Sequence, residues 1–173
     1  MEYTKEDYIK HYIVEALFKL MRQYEYDKIS VTDVVNKAGV GRATFYRHFK
    51  TKEDVIVYYF AHQTRSYNSE QRYYPRCKAD YIEIVLRTFS MFKEQKDILL
   101  LLHRARLDQI YFEYLNTSFI NMFERTFPGK SKYEPLIYSG MLFNVSIAWL
   151  EEDCATPPQE LARLLVDAIY FKD

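Results

Sequence analysis

The sequence predicts an all-α protein of about nine helices. Along most of its 173 residues, apolar side chains recur at intervals of three and four, the spacing of a helix with one buried face. Only four glycines and five prolines are present, too few for the many turns of an all-β domain. The scarcity of glycine also argues against the Gly-rich phosphate loops of nucleotide-binding enzymes. We expect a short N-terminal three-helix domain and a larger helical bundle after it.

The first two helices are indicated by apolar spacing and by capping residues. One face of the first helix is formed by Ile9, Ile13, Ala16, Leu17, Leu20 and Met21. A short second helix is expected over residues 31–38, where Ser30 and Asp33 have the spacing of a capping box. We expect the helix to end at Gly39, because glycine tolerates the positive φ with which many helices end.

A third short helix, at about residues 42–49, is followed directly by a fourth. Thr51 and Asp54 have the spacing that caps the start of the fourth helix. We divide the chain into an N-terminal domain, residues 1–52, and a C-terminal domain, residues 53–173, with the fourth helix as the link between them.

Five further helices are expected in the C-terminal domain, at about residues 79–93, 98–103, 107–127, 133–150 and 158–171. Prolines mark the breaks, at Pro75, at Pro128 before Gly129, and at Pro157 and Pro158. The chain also contains seventeen tyrosines and twelve phenylalanines, which is a large supply of side chains for a core or a pocket.

No arrangement typical of a metal site or an active site is apparent. Cys77 and Cys154 lie far apart, and the four scattered histidines share no zinc-binding spacing with them. No Ser/His/Asp set or carboxylate pair has a usable spacing, and the charged residues around His103 are expected to form a surface turn. We expect no metal, no cofactor and no enzymatic activity.

A charged N-terminus without an apolar segment, and two single thiols, predict a soluble cytoplasmic protein that binds no membrane.

The net charge of zero conceals a basic segment. Residues 28–52 contain six lysines and arginines and a single acidic residue, Asp33. This segment forms the two shortest predicted helices, and two short helices joined by a tight turn are typical of a helix-turn-helix, whose second helix enters the major groove of DNA. On charge alone, a solvated helix surface is the more common explanation.

The third helix carries side chains suited to contacts with base edges. Donors and acceptors are supplied by Arg42, Thr44, Tyr46, Arg47 and His48. Ala43 and Thr44 add methyl groups that fit the methyl of thymine. Phe45 and Phe49 are expected on the buried side.

Residues 30–53 read SVTDVVNKAGVGRATFYRHFKTKE and resemble the DNA-binding signature of the TetR family of bacterial transcriptional regulators. The shared pattern has Ala-Gly-Val at the turn, then Thr, a hydrophobic residue, Tyr and Phe along the third helix, and a lysine at the start of the fourth. The segment departs from it at Val35, often Ala in the family, at Gly41, where Ser or Thr usually caps the recognition helix, and at Ala43, a common Gly.

The resemblance implies roles for individual residues. It implies phosphate contacts from Thr32, Tyr46, Lys50 and Lys52. It implies base or groove contacts from Arg42, Ala43, Thr44 and Arg47, with His48 beside them.

The resemblance also implies a helical regulatory domain that dimerises. The end of a helix at residues 149–151, followed by residues 156–161, resembles short family members grouped with dihydroxyacetone-kinase regulators. Apolar stripes suited to a dimer of helix pairs are formed by Ile137, Met141, Val145, Trp149, Leu161, Leu164, Leu165, Ala168 and Ile169. These stripes could equally be core within one chain. A dimer is favoured because a palindromic operator requires two recognition helices.

A small apolar or aromatic effector would suit a cluster of mostly aromatic residues, Phe89, Phe92, His103, Tyr111, Phe119 and Phe123. An aromatic stripe at helical spacing is more often ordinary core. The leading interpretation is a homodimeric repressor that such an effector releases from a DNA operator. The alternative is a partner-dependent co-activator, or an effector-free regulator that acts through protein contacts.

Overall fold

The described part of the chain forms helices almost throughout. The computed structural model describes residues 4–70, 77–126, 129 and 131–169, with the side chains at 64–70, 126 and 169 left undescribed. In these ranges the helices are α1 (Lys5–Met21), α2 (Val31–Ala38), α3 (Arg42–His48), α4 (Lys52–Glu70), α5 (Lys78–Glu94), α6 (Lys96–Arg104), α7 (Asp108–Thr126), α8 (Glu134–Glu151) and α9 (Pro158–Ile169). A 3-10 turn at Tyr26–Lys28 joins α1 to α2. The all-α class and the nine helices are confirmed, and the expected breaks at Pro75 and Pro128 lie outside the described residues.

The chain divides into two compact units, Met1–Gln71 and Arg72–Asp173. The first unit includes all of α4, whereas the domain division predicted from the sequence places that helix from residue 53 onward in the second domain. The functional boundary at residue 52 stays a prediction. Among the described residues, no helix is both long enough and apolar enough to span a membrane.

The first unit is built around α1, which packs against both α2 and α4. Leu17 on α1, Val34 on α2 and Ile56 on α4 are fully buried. Helix α2 has the predicted capping box, since the side-chain oxygens of Ser30 and Asp33 each accept a hydrogen bond from the other residue's main-chain N–H. A local cap and one apolar core therefore place α2.

The second unit pairs its helices in a different order from the chain. Helix α5 packs against α9, and α7 and α6 both pack against α8. Its core is aromatic: the ring of Phe89 meets Phe92 and Trp149 edge to face, with centroids 5.8 and 5.2 Å apart. The large stock of aromatic residues in the sequence therefore goes in part to this core.

Candidate nucleic-acid interface

A three-residue turn joins α2 to α3. Gly39 ends α2 with φ 69° and ψ 30°, in the left-handed region that disfavours a side chain. The amide of Val40 donates to the carbonyl of Val35 at 3.0 Å, which closes the end of α2. Gly41 then precedes α3 and offers no side-chain cap. The turn brings the start of α3 close to the end of α2, as a helix-turn-helix requires.

Helix α3 has one buried side and one exposed side. Phe45 is fully buried, and its ring centroid lies 5.9 Å from that of Phe49. The exposed side of the helix carries four predicted contact residues, Arg42, Ala43, Tyr46 and Arg47. Thr44 and His48 are half-buried at its margin. Because Phe45 anchors the helix, these side chains form a surface that can enter a groove.

Two further candidates lie at the ends of the short helices. Thr32 is exposed in the first turn of α2, and Lys50 is exposed directly after α3. The single acidic residue of the basic segment, Asp33, accepts hydrogen bonds from the hydroxyl and the amide of Ser30 at 2.6 and 2.8 Å. These bonds hold the pKa of Asp33 below its usual value. The carboxylate is thus occupied in capping α2.

Lys52 lies in a different setting from Lys50. Its Nζ donates to the carbonyl oxygens of Tyr26 at 2.8 Å and Ile29 at 2.6 Å. The same Nζ lies 3.9 Å from the centroid of the Tyr26 ring. The ammonium group predicted to contact phosphate therefore already binds the segment between α1 and α2.

Tyr26 and Glu53 form a contact that is not among the interactions predicted from the sequence. The Tyr26 hydroxyl donates to Glu53 Oε1 at 2.6 Å. Burial, and then the hydrogen bond to Glu53, raise the pKa of Tyr26 well above its usual value, so the hydroxyl remains a donor. Burial acts to raise the pKa of Glu53, but hydrogen bonds from Tyr26, its own backbone and Thr51 outweigh it and lower that pKa. The sequence carries one signal for this contact: Tyr26 is an aromatic residue in the short polar stretch between the first two helices.

The first turn of α4 also holds the end of α3. The Asp54 carboxylate accepts from the amides of Lys50 and Thr51 at 2.8 and 3.0 Å. The Asp54 amide in turn donates to the Thr51 hydroxyl at 3.2 Å. The predicted cap is present, and it links the start of α4 to the backbone that follows the recognition helix.

The residues predicted to bind an effector are mostly packed core. Phe89, Phe92, Tyr111 and Phe123 are buried, whereas Phe119 and His103 are half-buried. Phe92 meets Tyr111 edge to face at 6.1 Å. A cleft of about 570 Å³ lies in the described part of the first unit and is lined by Leu20, Tyr24, Lys28, Ile29, Asp33, Asn36 and Lys37.

His103 binds two carboxylates. Its Nδ1 lies 2.7 Å from Asp108 Oδ1, and its Nε2 lies 3.3 Å from Glu151 Oε1. The hydrogen bond with Asp108, followed by the charges of both carboxylates, raises the pKa of His103 despite partial burial. His103 thus connects α6 with α7 and α8. Within the described residues, no three His, Cys, Asp or Glu side chains form a group that could hold a metal ion.

The predicted dimer residues fall into two groups. Trp149, Leu161 and Leu165 are buried in this single chain, so they are core residues of the second unit rather than surface for another copy. The other predicted residues on α8 and α9 remain accessible to a second copy. Ile137, Leu164 and Ala168 are exposed, and Met141 and Val145 are half-buried. The side chain of Ile169 lies outside the described part of the chain.

Comparison with known proteins covers both units. Residues 13–59 match the family of bacterial regulatory proteins, tetR family, and residues 80–170 match a transcriptional regulator C-terminal region. The HTH-type dhaKLM operon transcriptional activator DhaS of Lactococcus lactis is 26% identical over 110 residues, which cover 63% of this chain. The chain spans about half the length of that relative, 50%.

A solved structure shares the fold over most of the chain. Lin0861 from Listeria innocua superposes with a TM-score of 0.71 at 19% identity, covering 91% of this chain and 89% of its own. The helix-turn-helix geometry and the two family matches, one of them over more than half of the chain, agree. The chain belongs to the TetR family of bacterial DNA-binding transcriptional regulators.

Proposed function

We propose that this regulator is a homodimeric repressor that binds a palindromic operator through α3. The observation that carries the proposal is the division of α3 into an anchored side, at Phe45, and an exposed side that presents Arg42 and Arg47. A guanidinium group can donate two hydrogen bonds to the O6 and N7 atoms of guanine. The methyl groups of Ala43 and Thr44 suit thymine at neighbouring positions.

Phosphate contacts would orient α3 in the groove. Thr32 and Lys50 are exposed at the ends of the two short helices, and the Tyr46 side chain on α3 is 51% exposed. His48, half-buried at the end of the helix, would lie beside these contacts. Contacts of this kind supply affinity without sequence preference and weaken as salt rises.

Dimerisation would supply the second recognition helix. Ile137 on α8 is 59% exposed and Leu164 on α9 is 63% exposed. Burying such exposed apolar side chains is favourable, and a second copy related by a two-fold axis would cover them with the same surface. Two copies would place their recognition helices on half-sites about one helical turn of DNA apart.

Release by a small effector completes the proposed repressor. The ring of Phe92 meets those of Phe89 and Tyr111, so an apolar ligand would have to separate these rings to enter. Such a ligand would favour the conformation in which the rings are apart and so shift the equilibrium between two states. Compounds that act this way should raise the melting temperature and lower operator affinity together.

A second candidate function is transcriptional activation with a protein partner. It is favoured by one observation, that the related DhaS is described as a transcriptional activator of an operon. An activator needs a contact with another protein, whereas a repressor can act by occupying its operator. The two candidates therefore differ in the effect that the purified dimer has on transcription when no partner protein is present.

Selection of bound duplexes from a random DNA pool tests the proposal. We expect an enriched palindrome, and anisotropy titrations at two salt concentrations should show steep weakening of binding at the higher one. Failure to enrich any sequence would rule out an autonomous operator-binding dimer. In vitro transcription from a promoter that overlaps the selected site then decides the sign, because repression is expected and stimulation would establish activation.

A further inference from the structure

The first turn of α4 binds the segment that precedes α2. Tyr26 is held at both ends: its main-chain carbonyl accepts from Lys52 Nζ at 2.8 Å, and its hydroxyl donates to Glu53 Oε1 at 2.6 Å. The Lys52 ammonium also lies over the Tyr26 ring, 3.9 Å from its centroid. We refer to these three residues as the Tyr26–Lys52–Glu53 cluster.

This cluster reaches the start of α2 through Ile29. The Ile29 carbonyl accepts the second hydrogen bond of Lys52 Nζ, at 2.6 Å, and the Ile29 side chain is buried. Ser30, the next residue, is the N-cap of α2. Thr32, a predicted phosphate contact, lies only two residues further on. The position of the first turn of α2 is therefore tied to α4 by charge-assisted hydrogen bonds.

Moving Lys52 to a phosphate would break both of these bonds. The Tyr26 side chain is buried, and the two carbonyl groups would lose a charged donor at a site that is only partly accessible to water. Lys50, two residues earlier, has an exposed side chain. A phosphate contact would therefore cost Lys52 two hydrogen bonds, whereas the exposed Lys50 side chain is accessible to phosphate.

We propose that Lys52 and Glu53 are positioning residues that hold α2, and with it the DNA-contacting surface, in a fixed place on α4, and that Lys52 is not a phosphate ligand. The proposal deepens the proposed function, since its main readout is preference for an operator. Asp54 does the same for the end of α3, because it binds the amides of Lys50 and Thr51. The first three residues of α4 then control the placement of both helices of the motif.

Salt dependence separates a positioning lysine from a phosphate-binding one. Lys52→Met should weaken binding to the selected operator about 10-fold or more, change binding to a random duplex much less, and leave the slope of log K against log[salt] unchanged. Lys50→Met is the matched control and should weaken both duplexes and reduce the slope by about 0.9. An equal loss on both duplexes with a reduced slope for Lys52→Met would overturn the proposal.

A milder variant covers the case in which Lys52→Met fails to fold. Tyr26→Phe removes only the hydrogen bond to Glu53, and it should lower the operator-to-random affinity ratio without changing the salt slope. Tyr24→Phe, at a neighbouring exposed tyrosine, is the control and should change neither quantity. A lower melting temperature with an unchanged affinity ratio would mean that the cluster serves stability alone, against the proposal.

Hydrogen exchange in the free protein keeps this test apart from the proposed function. Tyr26→Phe should speed amide exchange in the first turn of α2 together with the first turn of α4, whether or not an operator has been found. Faster exchange in α4 alone would contradict the coupling. Failure of the wild-type protein to enrich any duplex would instead count only against the proposed function.

Discussion

The indole nitrogen of Trp149 donates a hydrogen bond to the main-chain carbonyl of Thr156 at 2.8 Å, across the turn that joins α8 to α9. The turn contains Asp153 and Cys154 at φ 56° and 57°, a conformation that costs free energy for residues with a side chain. Lys96 forms an ion pair with Asp153 from the start of α6. Trp149, only 2% exposed, therefore joins the aromatic core to a turn that needs external support.

Trp149→Phe should destabilise the second unit by about 1–3 kcal/mol, because it removes this hydrogen bond and leaves space in the core. Since Trp149 is the single tryptophan, urea denaturation should be followed by circular dichroism rather than fluorescence. Tyr133→Phe, at a residue 61% exposed, is the control and should change stability little. If Trp149→Phe left stability intact but altered the oligomeric state, Trp149 would be an interface residue after all.

Leu164→Glu should dissociate the proposed dimer without unfolding the chain. The side chain is mostly exposed in the single chain, so its replacement costs the fold little, whereas a carboxylate buried in an apolar interface should weaken association by about 2–3 kcal/mol, roughly 100-fold. Sedimentation velocity measures the change. Met122→Glu places the same charge at an exposed apolar residue of α7 and should leave the dimer intact. The reverse pattern would move the interface to α7.

Arg42→Ala should weaken operator binding by about 1–3 kcal/mol and relax the preference at one base pair of each half-site, if Arg42 donates to a guanine. The side chain is exposed in the first turn of α3, so its removal should leave the fold unchanged. Anisotropy titrations with the operator and with a random duplex provide the comparison. Equal losses on both duplexes would assign Arg42 to phosphate instead.

Introducing a glycine at the end of one helix and removing a glycine from the end of another should change stability in opposite directions. Arg106 follows α6 at φ 58°, and the amides of Arg106 and Leu107 close the helix by donating to the carbonyls of His103 and Leu102 at 2.9 Å. Arg106→Gly should therefore stabilise the protein by about 1 kcal/mol in urea denaturation. Gly39→Ala, where a Cβ would meet nothing within 4 Å, should destabilise it by a similar amount through backbone strain alone. A loss of stability in Arg106→Gly would show that the arginine side chain makes a larger favourable contribution.

Features set by neighbouring residues could be predicted from the sequence. The Ser30–Asp33 capping box, the left-handed Gly39 and the short α2 and α3 depend on spacings of a few residues, and all are present. The buried side of α3 followed for the same reason, because Phe45 and Phe49 are one helical turn apart.

Features that depend on distant packing could not be predicted. Lys52 meets carbonyl groups that lie 23 and 26 residues earlier in the chain, and its motif position alone suggested a phosphate contact. The stripes that include Trp149 and Leu165 are apolar whether a neighbouring helix of the same chain or a second copy covers them. Periodicity identifies a buried face but does not identify its partner.

His103 should make stability depend on pH in a defined direction. Its pKa is raised in the folded chain, chiefly by the hydrogen bond with Asp108, so the folded state holds the proton more tightly than the unfolded state does. The resulting stabilisation is fully present below the unfolded pKa of about 6.5 and is lost as pH rises through the higher folded pKa. Because the imidazole is 35% exposed, water screens the ion pairs, and we expect a melting-temperature difference of only about 1–3 °C between wild type and His103→Gln.

Melting curves by circular dichroism from pH 5.5 to 9 measure this difference. It should be largest at acidic pH, where the imidazolium donates to both Asp108 and Glu151, and should shrink towards pH 9 as the charge is lost. His11→Gln, at an exposed residue of α1, controls for the general effect of losing a histidine. A difference that grew with rising pH would mean that the neutral imidazole is the form the folded chain prefers, contrary to the two carboxylates that flank it.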